Sequence, residues 1–411
     1  MNYFIKNIHV NKLFHLNDFD IPIAEEKYPH LIITGKNGSG KTILLNAITD
    51  FIERIKDDQK LYFLHYANWV KNGETQLRNA RTEEERSKAE MQLSSNRKRY
   101  DSLYGKICLT FGNVAEIIKE YQEGNFIIGS YRAYRKPEMK EPKNPTKPEY
   151  NKKGNVRETA TAQFLNFLSD LKIQEALARN EKLTKDADEI KDWFSDFEDL
   201  LRQIFQDKDL QLEFNYRDYS FKICTEGKKF KFTEVSDGFA AVLDIVADLI
   251  LKMQEDKSLT RIYQKEGIVL IDEIETHLHL GLQKVIMPLL TKVFPNIQFI
   301  VTTHSPFVLS SMPNAVAYDL EHKEILDDLT EYSYEALAEG YFGVKTQSSY
   351  AEMQLARFKD LLAKNELSDA EKVEVKQLKS DFERIREALS PLLVGEFRQI
   401  MILYSEKLNS L

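Results

Sequence analysis

Eight residues near the start of the chain, Gly35, Lys36, Asn37, Gly38, Ser39, Gly40, Lys41 and Thr42, carry the spacing G-x-x-x-x-G-K-S/T. Glycines so placed let the backbone close around phosphate oxygens. The loop amides and the N-terminus of a following helix supply the positive field. In such a loop Lys41 reaches the β- and γ-phosphates of a nucleotide, and the Thr42 hydroxyl ligates Mg²⁺. Far downstream, Asp272 and Glu273 close the apolar run GIVLI. A carboxylate there holds the Mg²⁺ shell through water, and its neighbour orients or activates an attacking water. Two adjacent carboxylates are costly as core residues, which favours a chemical role. The plainer alternative, a helix cap followed by a first-turn acid, loses ground beside Lys41. His304 ends the run FIVTT, where it can sense a γ-phosphate or hold the water. Ser236, Asp237 and Gly238 precede an apolar helix; as a bare tripeptide they are ordinary cap chemistry. The expectation is ATP hydrolysis with Mg²⁺, with Lys41, Glu273 and His304 catalytic.

These residues need elements to hold them. HLIIT before the loop is short and β-branched, as a buried strand should be, and ILLNAITDFIERI after Thr42 keeps a helical apolar period. Strand, glycine-rich turn and helix form the context the motif requires. IVLID, LGLQKVIMPLLTKVF and QFIVTTH read as strand, helix and strand. Both strands are apolar throughout, which suits parallel strands covered on both faces. FIIGS is a further buried strand, LQLEFNY, YSFKICTEG and KKFKFTEV make two or three more, and VAYDLE makes another. MNYFIKNIHV reads as an edge strand and not as a signal peptide. Residues 73–100 are charged, free of proline and rich in helix formers, which predicts a long exposed helix as one arm of a short helical hairpin. Residues 158–207 and 331–411 read as mostly helical.

The 411 residues suffice for one large α/β core with accessory regions. No run of eighteen apolar residues is present, so no membrane partner is expected. Two cysteines, Cys108 and Cys224, are too few for a disulfide framework, which points to the reducing cytoplasm. A net charge of −8 argues against a surface coated in basic residues. Residues 131–157 run the other way, with nine Lys/Arg against three Asp/Glu and four prolines. This is either a solvated loop or a nucleic-acid patch made of Arg132, Arg135, Lys143, Lys147, Lys152 and Lys153.

GKNGSGKT, VSDGF, IVLIDEIETHLH and FIVTTHSP, in that order and spacing, resemble the ABC-superfamily ATPases of the branch containing RecF, SMC, Rad50 and overcoming-lysogenization-defect (OLD) proteins. The resemblance covers about 1–50 and 211–320. It implies an ABC-type P-loop core of α/β class with a mixed central sheet, a helical insertion and a helical C-terminal region. It further implies a homodimer in which Ser236, Asp237 and Gly238 of one subunit bind the γ-phosphate held by the other. Glu275–His279 would then be the loop crossing the interface, and His304 the switch histidine. Asp237 stands where transporter-type members have glycine. The glutamine expected near Ser130–Arg135 is missing, and Gln163 is a weak substitute.

On this reading residues 1–56 and 211–325 are the two halves of the core. Residues 57–120 are a charged helical insertion, 121–210 a core strand with a basic loop and a helical subdomain, and 326–411 an accessory region for a partner. Three outputs are open: a switch controlling a separate nuclease or other effector in antiviral defence, a RecF- or SMC-like DNA clamp, or a regulatory scaffold without DNA contact. The C-terminal region is short for the nuclease domain of OLD proteins, so nuclease activity is not expected within the chain.

Overall fold

The computed structural model describes residues 3–23, 30–135, 138–146, 154–254, 264–326, 329–330, 332–340, 349–385 and 391–410. Two compact units divide the chain, Met1–Glu331 and Tyr332–Leu411.

Six strands form the central sheet of the first unit: β3 (His30–Thr34), β5 (Phe126–Tyr131), β9 (Glu266–Ile271), β10 (Ile297–Thr302), β11 (Ala315–Asp319) and β12 (Glu324–Leu326). Their order is β12-β11-β3-β10-β9-β5. All pairs are parallel except the β11–β12 hairpin, so the sheet is mixed. β3, β5 and β10 are buried at every position, as their unbroken apolar runs require when both faces are covered. An antiparallel sheet, β2-β1-β4, lies apart from it, built of β1 (Ile5–Leu13), β2 (Leu16–Pro22) and β4 (Ile107–Phe111). A third, β6-β7-β8, comprises β6 (Gln211–Asn215), β7 (Ser220–Thr225) and β8 (Lys228–Lys231).

α1 (Lys41–Ile55) buries Leu44, Leu45, Ile48, Ile52 and Ile55 in a core shared with β1, β3, β5 and β10. Packing of this stripe fixes the helix whose first turn carries Lys41 and Thr42. Gln298 ties the outer sheet to the centre: its buried amide accepts from the Ile5 amide and donates to the Ile5 carbonyl. The helical hairpin forms from α2 (Tyr66–Asn79) and α3 (Glu83–Tyr104). Its turn falls within the stretch that reads as one helix, because Thr82 and Glu85 make a reciprocal capping box that restarts the helix. β4 corrects the purely helical reading of the same region. ICLTF pairs with β1, a strand almost a hundred residues upstream.

The remaining helices of this unit are α4 (Val114–Glu123), α5 (Phe164–Asn180), α6 (Thr184–Phe205), α7 (Asp237–Met253), α8 (Leu280–Val293) and the single turn α9 (Pro306–Leu309). The second unit holds α10 (Tyr334–Gly340), α11 (Ser349–Ala363), α12 (Asp369–Arg384), α13 (Pro391–Leu403) and α14 (Ser405–Ser410). Leu355, Phe358, Leu378, Phe382 and Phe397 form its core. Among the described residues no helix is long and apolar enough to cross a membrane.

His30, at the start of β3, is buried, and its Nδ1 accepts the Phe299 amide at 3.1 Å. Acceptance requires the unprotonated ring, and burial pulls the imidazole pKa down from 6.5 to about 4. Folding therefore favours neutral His30. The stability it contributes is complete above pH 6.5 and is lost as pH falls from 6.5 towards 4. The full loss is about 3 kcal/mol. Denaturant melts of wild type and His30→Asn, which keeps an acceptor that does not titrate, should diverge over this window. Parallel melts from pH 7 to pH 4 would refute the assignment.

Candidate functional site

The strand β3 delivers the chain into the 35–42 loop, and α1 carries it away. Gly35, Gly38 and Gly40 all have positive φ, at 133°, 85° and 101°. Space matters as much as angle at Gly35, where a Cβ would stand 2.9 Å from Ser39 Oγ and 3.3 Å from Asp319 Oδ1. Lys41 is buried, and its ammonium donates to the Gly35 carbonyl at 2.8 Å and the Lys36 carbonyl at 3.1 Å. Burial lowers its pKa, against the opposing charges of Glu273, Glu275, Asp272 and Asp319. Among the described residues, the buried Ser39 hydroxyl has no hydrogen-bond partner. A loop with a buried ammonium and a free hydroxyl fits a polyphosphate, whose oxygens would satisfy both.

β9 and β10 lie side by side, which brings the distant motifs to the loop. Asp272 Oδ1 accepts from Thr42 Oγ1 at 3.1 Å and from Thr302 Oγ1 at 2.6 Å. Thr302 Oγ1 in turn accepts the Glu273 amide at 2.7 Å. Thr42, Asp272, Thr302 and Glu273 thus form one hydrogen-bonded chain. The pairing of Thr42 with Asp272 is the donor set that suits Mg²⁺ carried by a nucleotide, an ion that keeps waters and takes few protein ligands. Among the described residues no group of three or more His, Cys, Asp or Glu is placed to hold a metal without such a nucleotide.

Glu273 has a left-handed backbone, φ 41°, and its carboxylate accepts from Thr276 Oγ1 at 3.2 Å. Glu275 joins the loop after β9 to the end of β10: it accepts the His304 amide at 2.5 Å and Thr303 Oγ1 at 2.8 Å. Burial pushes its carboxyl above the ordinary range, although both bonds favour the charged form. Burial and the Lys41 charge lower the His304 pKa, so the imidazole is neutral at neutral pH.

Ser236 precedes α7, with Asp237 as its first residue. Gly238 packs on the loop after β9, since a Cβ there would stand 2.6 Å from the His277 carbonyl. Among the described residues, no hydrogen bond of the Thr42–Asp272–Thr302–Glu273 chain reaches Ser236–Gly238.

Of the basic residues expected to form a nucleic-acid patch, Arg135 is placed elsewhere. Arg132 and Lys143 are exposed, and Lys147, Lys152 and Lys153 lie outside the described residues. Arg135 is not a surface residue at all. It is 5% exposed, and its guanidinium donates to the carbonyls of Asp272, Glu273 and Ile274. A cation committed to three backbone carbonyls is not available to a phosphate backbone.

The sequence reading has Glu275 only at the start of an interface loop and Arg135 only in a basic patch, and Thr302 is absent from it. So is a buried acidic pair on α7: Asp248 accepts from Tyr131 Oη and Lys252 Nζ, both at 2.6 Å, and Asp244 accepts from Thr161 Oγ1 at 2.7 Å. The signal in the sequence is two acids one turn apart within the apolar run FAAVLDIVADLIL.

Residues 31–310 match the sequence profile of the family described as "AAA domain, putative AbiEii toxin, Type IV TA system". The chain is 29% identical over 183 residues to Septu protein PtuA of Bacillus mycoides, covering 42% of this chain and 25% of that protein. It is 33% identical over 117 residues to the Retron Vc95 probable ATPase of Vibrio cholerae, covering 28% and 21%. With the Retron Ec83 probable ATPase of Escherichia coli it shares 47% identity over 77 residues, covering 18% and 14%. The chain thus spans a quarter or less of the length of each of these relatives. With a family match over most of its length and the phosphate loop set against Asp272, the chain belongs to this AAA-domain family, as a P-loop ATPase of the defence-associated branch related to the Septu and retron ATPases.

Proposed function

We propose that the chain is the nucleotide switch of a defence system, dimerising on ATP and controlling a separate effector such as a nuclease. The observation that carries this reading is the hydrogen-bonded chain from Thr42 through Asp272 and Thr302 to Glu273. It is a half-site assembled within one protomer, and it does not include Ser236–Gly238. On this reading the loop amides of Gly35–Gly40 and Lys41 bind the phosphates, with Asn37 and Ser39 lining the loop. Thr42 and Asp272 would hold Mg²⁺, which would supply charge neutralisation at the phosphates. Glu273 accepts the proton of the attacking water, and neutral His304 holds that water or the γ-phosphate. Ser236, Asp237 and Gly238 of a second copy close the site.

The names of the relatives support the defence setting, and the exposed Val373, Ile402 and Leu403 of the Tyr332–Leu411 unit supply apolar surface for an effector. The native mass of the Glu273→Gln protein, expressed with its neighbouring genes and measured with and without ATP, tests the proposal. ATP should yield an assembly containing two ATPase chains and a second protein. A monomer in both conditions would sink the shared site, and a bare dimer would remove the effector.

A further inference from the structure

The left-handed turn at Glu273 gathers three successive carbonyls, those of Asp272, Glu273 and Ile274, around one point. Their dipoles repel, and a left-handed conformation crowds the Cβ of a non-glycine residue against the following carbonyl oxygen. Arg135 occupies that point. Its Nη1 donates to the Asp272 carbonyl at 2.8 Å, and its Nη2 donates to those of Glu273 and Ile274 at 3.2 and 3.1 Å. Nη1 also donates to the Arg132 carbonyl at 2.9 Å, which closes its own loop around the guanidinium. The neighbouring Tyr134 sets its ring edge-on to His277, the second left-handed residue of the loop after β9. The 132–135 loop therefore touches both left-handed points of that loop.

We propose that Arg135 is the positioning residue for Glu273: by neutralising the three converging carbonyls it holds the strained backbone that aims the Glu273 carboxylate. The proposal rests on the reading of Glu273 as the general base. Arginine suits the task because a planar fork with fixed donors can serve several acceptors at once, whereas a lysine ammonium is a point charge on a flexible stem. Releasing the turn shifts the carboxylate, and a displacement of about 1 Å costs about 100-fold in rate. The phosphate loop makes none of these bonds, so nucleotide affinity should not follow.

The test uses the full chain in single-turnover ATP hydrolysis, with nucleotide affinity measured separately on a non-hydrolysable ATP analogue. Arg135→Gln should lower the hydrolysis rate about 30- to 100-fold while affinity stays within about threefold. Arg135→Lys should recover part of the rate, and millimolar guanidinium should partly restore Arg135→Ala. An Arg135→Gln rate within about threefold of wild type overturns the proposal. So does a joint fall of rate, affinity and melting temperature in both Arg135→Gln and Arg135→Lys, which would make Arg135 merely structural. Glu273→Gln in the same assay separates the two failures. If it still turns over, the reading of Glu273 is wrong; if it is inactive while Arg135→Gln is normal, only the positioning role falls.

Discussion

Glu273→Gln will abolish turnover while leaving nucleotide bound, with the hydrolysis rate falling roughly 100- to 10,000-fold, the range that one positioned general base supplies. The geometry makes this substitution clean. The Glu273 amide is engaged by Thr302 and its carbonyl by Arg135, so the main chain is fixed by groups the substitution does not alter. Glutamine matches glutamate in size and adopts the same left-handed φ at similar cost. Its amide oxygen can still accept from Thr276 Oγ1. What disappears is the basic oxygen. Stability should therefore change by less than about 0.5 kcal/mol, and affinity for Mg-ATP by no more than a few-fold. Single-turnover phosphate release alongside retention of labelled ATP on a desalting column measures both halves of the expectation. A variant that hydrolyses within tenfold of wild type would show that another group takes the proton. A variant that loses ATP as well would place Glu273 among the binding residues.

The sequence disclosed those parts of the site whose chemistry is local. Glycines at 35, 38 and 40 are demanded by backbone angles that other residues seldom adopt, so the loop can be read without knowing what surrounds it. Asp272 could be read because, in a chain that also carries the Lys41 loop, a pair of acids ending an apolar strand is better explained by chemistry than by a helix cap. Residues whose role is set by which strands lie side by side were not legible. Thr302 acquires its role only when β10 lies against β9, and Glu275 only when its turn meets the end of β10. β4 was hidden for a related reason, since ICLTF is short and its partner β1 is distant in sequence. Arg135 shows where composition misleads. A run of basic residues and prolines looks solvated throughout, and nothing in the run marks the one member that folds inward. Two acids on α7 were not legible either, because the partners Thr161 and Tyr131 lie 83 and 117 residues upstream. Asp244 and Asp248 are nonetheless what that helix offers to Thr161, Tyr131 and Lys252.

Lys41→Ala should reduce affinity for Mg-ATP by roughly 100- to 1,000-fold, a loss of about 3–4 kcal/mol of the kind seen when one partner of a buried charge contact is removed. The size of the effect follows from its surroundings. Lys41 is buried, its stem directed so that the ammonium caps the Gly35 and Lys36 carbonyls, and it stands in the field of four acids, Glu273, Glu275, Asp272 and Asp319. With alanine in its place, an incoming polyphosphate would lose an attractive cation and meet those acids opposed only by backbone amides and whatever metal it carries. Lys36, in the same loop, provides the contrast. Its exposed ammonium pairs with Glu321 at 2.9 Å on the surface, where solvent screens the charge, so Lys36→Ala should change affinity by less than about threefold. Calorimetric titration of both variants with Mg-ATP compares a buried and an exposed lysine five residues apart. Equal effects would mean that general attraction by positive charge, and not the constructed loop, governs binding. A Lys41→Ala protein that still binds within fivefold of wild type would remove this lysine from the phosphate contacts. The expected pattern separates the two functions of the site: Lys41→Ala fails to bind, Glu273→Gln binds and fails to turn over, and only the latter should hold the ATP-dependent assembly together.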